Sequence, residues 1–308
     1  MAITNDAPYD FPSERRLGRG HRNVADGISM QSWTLFTFSY SPHLSKYKAS
    51  SLTYRTICQL ILQLPPLVCH RLLNAVMATD PSIPSCVPKD AVSQAAYHYA
   101  RTHLDPVILA HSLRVYLYSR AFSKMDLSSL PQFTPTAGSE IFATDTQLLD
   151  EQSIFLASIF HDMGTCAAHD HAQRFEACGA DAAVDFMQAH GVVDKVVLRE
   201  VWTAIALHTS PGLAERMSAL TRVIRLGPKT DFGHEGYRAL LGEEFVKAAE
   251  EEFPRGNPAK VLGDIVAGQA EAREGAGRDA KAPAVSWPWN LLRCRLEEPE
   301  WEGVNKGF

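Results

Sequence analysis

The chain has 308 residues, with 30 Lys+Arg against 35 Asp+Glu and a net charge of −5 with histidine neutral. This balance excludes a generic nucleic-acid-binding domain, whose electrostatic footprint is a strong basic excess. At 45% hydrophobic and 21% charged residues the composition is globular, which excludes disorder throughout. Six cysteines, none in C-x-x-C spacing, make neither a disulfide framework nor a thiolate zinc site and fit a reduced, cytoplasmic compartment.

Residues 1–76 differ from the rest, and Gly27 to Thr79 contains no Asp or Glu. The apolar run from Thr56 to Cys69, interrupted by Pro65-Pro66, is shorter than the ~20 residues a membrane span requires. The N-terminal residues before it, with Glu14, Arg15, Arg16, Arg19 and Arg22, lack the apolar stretch of a signal peptide. Residues 1–76 therefore read as a poorly ordered, dispensable leader with one short amphipathic helix. A mitochondrial targeting segment, or a mature chain that starts at Met77, are the alternatives. Residues 77–308 are expected to form one domain, with its core over about 88–270.

From Pro88 onward helix signals recur with almost no strand-like alternation, so the expected class is all-α. Asp90 caps a helix whose apolar side carries Val92, Ala95, Ala96 and Tyr99, and Asp105-Pro106 caps and opens the next. A loop rich in Pro, Thr, Ser and Gly at 131–146 precedes a predicted helix at 147–163, stopped by Gly164. Further helices are predicted at 174–190 (ended by Gly191), at 194–208 (ended by Ser210-Pro211-Gly212), and at 216–231, 236–252 and 258–275. Residues 272–286 read as loop, and "WPWNLLRC" as a last short helix packing back on the body.

Four helices each bring a histidine or a carboxylate to an apolar face. His111 shares a 3.6-residue stripe with Val115, Tyr118 and Phe122, and His161, followed at once by Asp162, shares one with Ile154 and Ala157. His208 ends a stripe of Val197, Val201 and Ala204, and Asp231 ends one of Leu220, Ile224 and Gly227. Any one of these suits a core histidine, but burying the whole set without partners would cost several kcal/mol. A shared divalent cation removes that cost. Imidazole and carboxylate donors suit zinc in the first place, with iron(II) or manganese as alternatives.

The order His111, His161-Asp162, Asp231, with flanks "HSLRVYLYS" and "FHDMGT", resembles the HD-domain superfamily of helical metal-dependent hydrolases. Within it, "RFEACGADAAVDFMQAHGV" and "EEFPRGNP" are similar to the cyanamide hydratase family. The resemblance implies an HD-domain helical bundle with a buried metal site whose ligands are His111, His161, Asp162 and Asp231. It implies a lyase in which metal-bound hydroxide adds to a nitrile-type C≡N group, giving urea from cyanamide or an amide from a related substrate. Two departures bear on the substrate: "LHTSPG" stands where that family carries an acidic residue after the later histidine, and Phe232 stands where it carries Asn. Pro228 is expected to kink the helix that delivers Asp231.

His208 is the candidate for proton transfer or for holding the activated water, with simple packing as the alternative. Asp162 and Thr165 complete the candidate catalytic set, and Phe175, Glu176 and Phe232 are the candidate substrate contacts. His169 and His171, with Asp170 between them, read as a solvated loop. Arg174 and Lys229 lie near motif residues, whereas Arg114 and Arg199 are expected on solvated helix faces. That thin basic supply favours a small neutral substrate over a phosphate ester, which needs cationic clamps. An HD phosphohydrolase and a metal-free HD-derived scaffold are the competing readings. The expected partner is a small molecule, with neither nucleic acid nor a membrane span, and a homo-oligomer is open.

Overall fold

The computed structural model describes residues 82–127 and 149–297, so the leader assigned to 1–76 and the loop expected at 131–146 lie outside the described residues. Among the described residues there are eleven α-helices and no strand, which places the protein in the all-α class. They are α1 (Ala91–His103), α2 (Pro106–Phe122), α3 (Glu151–Phe160), α4 (Phe175–Ala189), α5 (Lys195–Leu207) and α6 (Ala219–Asp231). After these come α7 (Glu235–Leu241), α8 (Glu243–Glu252), α9 (Pro258–Glu271), α10 (Gly275–Lys281) and α11 (Trp287–Glu297).

Side-chain caps set the helix starts. Asp90 accepts from the Ser93 amide, Asp105 from Val107, Asp150 from Ser153, Asp194 from Val196 and Ser218 from Thr221. Each such cap contributes ~0.5–2 kcal/mol.

The central element is α2, packed against α1, α3, α6, α7, α8 and α9. Every residue from His111 to Ser119 is buried, so this helix has no solvated face. The expectation that Arg114 lies in solvent is therefore wrong: its side chain is fully buried. Arg199, on α5, is exposed as expected.

Two glycines allow the close approaches that build the interior. A Cβ at Gly227 on α6 would stand 2.6 Å from Ser119 Oγ and 2.9 Å from the Val115 carbonyl, so only glycine lets α6 cross α2 this closely. A Cβ at Gly164 would collide with the Phe175 carbonyl, so Gly164 lets the start of α4 close over the end of α3.

Two sequence boundaries are corrected. The single helix expected at 236–252 is split into α7 and α8 at Gly242, whose φ of 87° no helix accommodates. Within the expected loop at 272–286, residues 275–281 form α10, because Lys281 is buried and pairs with Asp170 at 2.5 Å. Pro228 lies inside α6, which nevertheless continues to Asp231. No helix among the described residues is long and apolar enough to cross a membrane.

Candidate metal centre

His111 projects from the middle of α2, and His161 caps the C-terminus of α3. Asp162 follows with φ −105° and ψ 9°, the sparsely populated region between helix and strand, and turns the chain into a 3₁₀ turn over Met163–Thr165. From α9, Gln269 Nε2 donates to the carbonyls of Gly164 (3.0 Å) and Thr165 (3.3 Å), holding that turn from behind. His208 caps the end of α5. All four side chains are buried.

Their donor atoms converge. His111 Nε2 lies 3.2 Å from His161 Nε2, and Asp162 Oδ2 lies 3.1 Å from His161 Nε2 and 3.5 Å from His111 Nε2. Ligands at 2.0–2.2 Å from a tetrahedral cation stand ~3.4 Å apart, so these three separations fit one ion. His208 Nε2 is 3.8 Å from the other oxygen, Asp162 Oδ1.

The protons strengthen this fit. His161 Nδ1 meets the Ser158 carbonyl at 2.6 Å and His208 Nδ1 meets the Ile205 carbonyl at 2.6 Å; a carbonyl only accepts, so both Nδ1 atoms carry hydrogen. His111 Nδ1 likewise donates to Asp231 Oδ2 at 2.6 Å. Where the rings are neutral, all three Nε2 atoms present lone pairs toward Asp162, and without a cation it is a protonated His161 that would supply the missing positive charge. Both oxygens of Asp162 are buried without a hydrogen-bond partner. A buried carboxylate facing three lone pairs is costly by several kcal/mol until a positive charge lies among them.

Burial alone would raise the Asp162 pKa, but His161, His111 and His208 around it bring it down to about 2. Burial opposes charge on His161, yet Asp162 overrides it and raises its pKa. For His208 burial dominates and, with His161 beside it, pushes the pKa down to about 3, so its imidazole is neutral.

Asp231 does not join the other three proposed ligands. Its Oδ1 accepts from Arg114 Nε (2.7 Å), and its Oδ2 accepts from Arg114 Nη2 (2.8 Å) and from His111 Nδ1. With both oxygens engaged on the far side of the His111 ring, it orients a ligand in the manner of carboxylates behind metal-bound histidines. Arg114 Nη1 also donates to the Phe253 and Pro254 carbonyls at 2.8 and 3.2 Å, which ties the "EEFPRGNP" segment to the centre. Arg114 is the functional residue the sequence reading missed. Its place in "HSLRVY", one turn after His111, was the available signal.

The remaining candidates fall differently. Thr165 Oγ1 donates to the Asp162 carbonyl at 2.7 Å, so it closes the turn instead of facing a substrate. Glu176 is fully buried, held by Arg174 and by Thr209, and so does not stand at an open mouth. Phe175 packs its ring 5.7 Å from His208, and the Phe232 ring lies 5.0 Å from His111. His171 is exposed as expected, but His169 is half-buried and bonds the Tyr99 hydroxyl at 2.8 Å. Set against known proteins, the chain matches no family model and no curated protein, so its function is argued from the chemistry of this centre.

Proposed function

We propose that the chain is a metal-dependent enzyme of the HD type that adds water to a small substrate, with a nitrile-type carbon as the preferred target. The observation that carries this reading is the Asp162 carboxylate, buried with neither oxygen hydrogen-bonded and surrounded by the Nε2 atoms of three imidazoles. His111, His161 and Asp162 would hold a divalent cation, zinc first among the candidates. A cation held there supplies Lewis acidity, which makes water nucleophilic near neutral pH.

The chain's own residues do the rest. Arg114 fixes Asp231, and Asp231 fixes the His111 ring with Nε2 inward. His208, neutral and with its Nδ1 hydrogen held by Ile205, offers the Nε2 lone pair to the attacking water. The proton taken up at Nε2 passes to the substrate nitrogen, which gives the imidic acid C(OH)=NH, and transfer of the hydroxyl proton to nitrogen then completes the amide. The orphaned carboxylate speaks against a metal-free scaffold.

The test combines metal analysis of the purified full chain with turnover assays on cyanamide and on a panel of phosphomonoesters. About one divalent ion per chain with amide or urea formation supports the reading; phosphate release instead moves the assignment to a phosphohydrolase. His208→Gln should keep the ion and lower turnover by ~10²–10⁴-fold, the usual scale for loss of a general acid or base. Loss of the ion would make His208 a ligand, and an unchanged rate would remove it from the mechanism.

A further inference from the structure

Beside the metal centre lies a cleft of about 350 Å³ whose wall includes Arg174, Thr209, Ser210, Arg225, Trp287 and Asn290. Among its described lining residues are two guanidiniums and no carboxylate. The carboxylates stand behind the arginines. Glu176 accepts from Arg174 Nε at 2.9 Å and Nη2 at 2.5 Å, and Glu215 accepts from Arg225 Nε at 3.2 Å. Each pair fixes a planar cation from the rear. The Arg174 side chain is a quarter exposed, and its Nη1 has no protein partner among the described residues. The hydroxyl of Ser210 and the amide of Asn290 add neutral donors, while the Thr209 hydroxyl is spent on Glu176. Fixed guanidinium forks with neutral donors beside them suit a planar or tetrahedral oxyanion.

The cleft adjoins the catalytic residues directly. Arg225 Nη1 donates to the His208 carbonyl at 2.8 Å, and Thr209 follows His208 in the chain. The Phe175 ring is 5.7 Å from both the His208 and the Trp287 rings, so it touches one residue of the centre and one of the cleft wall. The thin basic supply read from the sequence missed this pairing, because Arg225 is remote in the chain from the His161-Asp162 motif and shares a cleft with Arg174 only through helix packing.

We propose that the cleft is an oxyanion-binding subsite that seats a carboxylate or phosphate carried by the substrate, while the reacting group lies past Phe175 at Asp162 and His208. The subsite stands on its own; its assignment to the substrate rests on the metal-centre reading above.

The experiment is calorimetric titration of the full chain, metal-loaded and metal-depleted, with inorganic phosphate and separately with acetate, at constant ionic strength set with chloride. Binding of either anion to the metal-depleted chain is expected, and the tighter of the two names the class. Arg174→Gln should weaken it tenfold or more. So should Asn290→Asp, which leaves both guanidinium pairs in place and adds a like charge to the wall, so the test survives if the arginine variant does not fold. Binding that requires the metal and ignores both variants would place the anion on the ion and overturn the subsite while leaving the metal reading intact. Absence of binding in both forms also overturns it. Variant-sensitive binding by a chain that takes up no metal would keep the subsite and remove its link to the substrate.

Discussion

The two sides of the His111 ring face two buried carboxylates in opposite conditions. On the Nδ1 side, Asp231 accepts from Arg114 Nε and Nη2 and from His111, so both its oxygens are satisfied by donors. On the Nε2 side, neither oxygen of Asp162 has a hydrogen-bond partner, and the Nδ1 hydrogens of His161 and His208 are spent on backbone carbonyls away from it. Burial is complete in both cases, so burial does not distinguish a carboxylate that holds a fold from one that could hold a cation. The direction of the neighbouring protons does.

Substitutions at the two carboxylates should therefore behave differently. Asp162→Ala is expected to abolish both metal binding and turnover, read by metal analysis and rate. Stoichiometric metal in this variant would break the comparison.

Asp231→Ala should destabilise the chain by ~3–5 kcal/mol in equilibrium unfolding, because it strands a fully buried Arg114 guanidinium. Replacing both partners, Arg114→Met with Asp231→Leu, should recover most of that loss yet still lower metal affinity, since His111 loses its orienting acceptor. Stability that stays low in the double variant would mean that the pair does more than satisfy its own charges.

Gly227→Ala probes the crossing that brings the two sides together. The new methyl meets the Val115 carbonyl at 2.9 Å, and backbone cannot yield as a side chain can. Overpacking of this kind costs ~1–3 kcal/mol, and wild-type stability in urea would show that α6 shifts freely on α2.

The smallest effect belongs to the partly exposed cluster of Arg238, Glu250 and Arg255, where Glu250 Oε1 accepts at 2.9 and 3.0 Å. Burial opposes its charge, but the two guanidiniums together outweigh it and hold its pKa below the usual glutamate value. Its contribution is thus present above the ordinary carboxylate range and lost as pH falls through the lowered folded value. Glu250→Gln should cost ~0.2–1 kcal/mol at neutral pH, less in high salt, and nothing in acid. A pH-independent difference would show that the contact acts by packing.

Helix existence, and the inward placement of His111, His161, Asp162, His208 and Asp231, were legible in the sequence, because a cap and a 3.6-residue stripe are local properties. The stripes identify a face but not what stands across from it. Arg114 read as solvated because a charge is inside only when a distant residue receives it, and its receivers, Asp231 and the carbonyls of Phe253 and Pro254, lie on elements more than a hundred positions away. Gly242 did not announce its break, and α10 was hidden by a polar composition whose one decisive residue, Lys281, is buried only through Asp170. Amphipathic periodicity thus determined which residues go inside. Only the helix crossings determined that Asp231 meets Arg114 while Asp162 meets three imidazoles, because hydrogen-bond satisfaction depends on which donors the packed fold delivers to each oxygen.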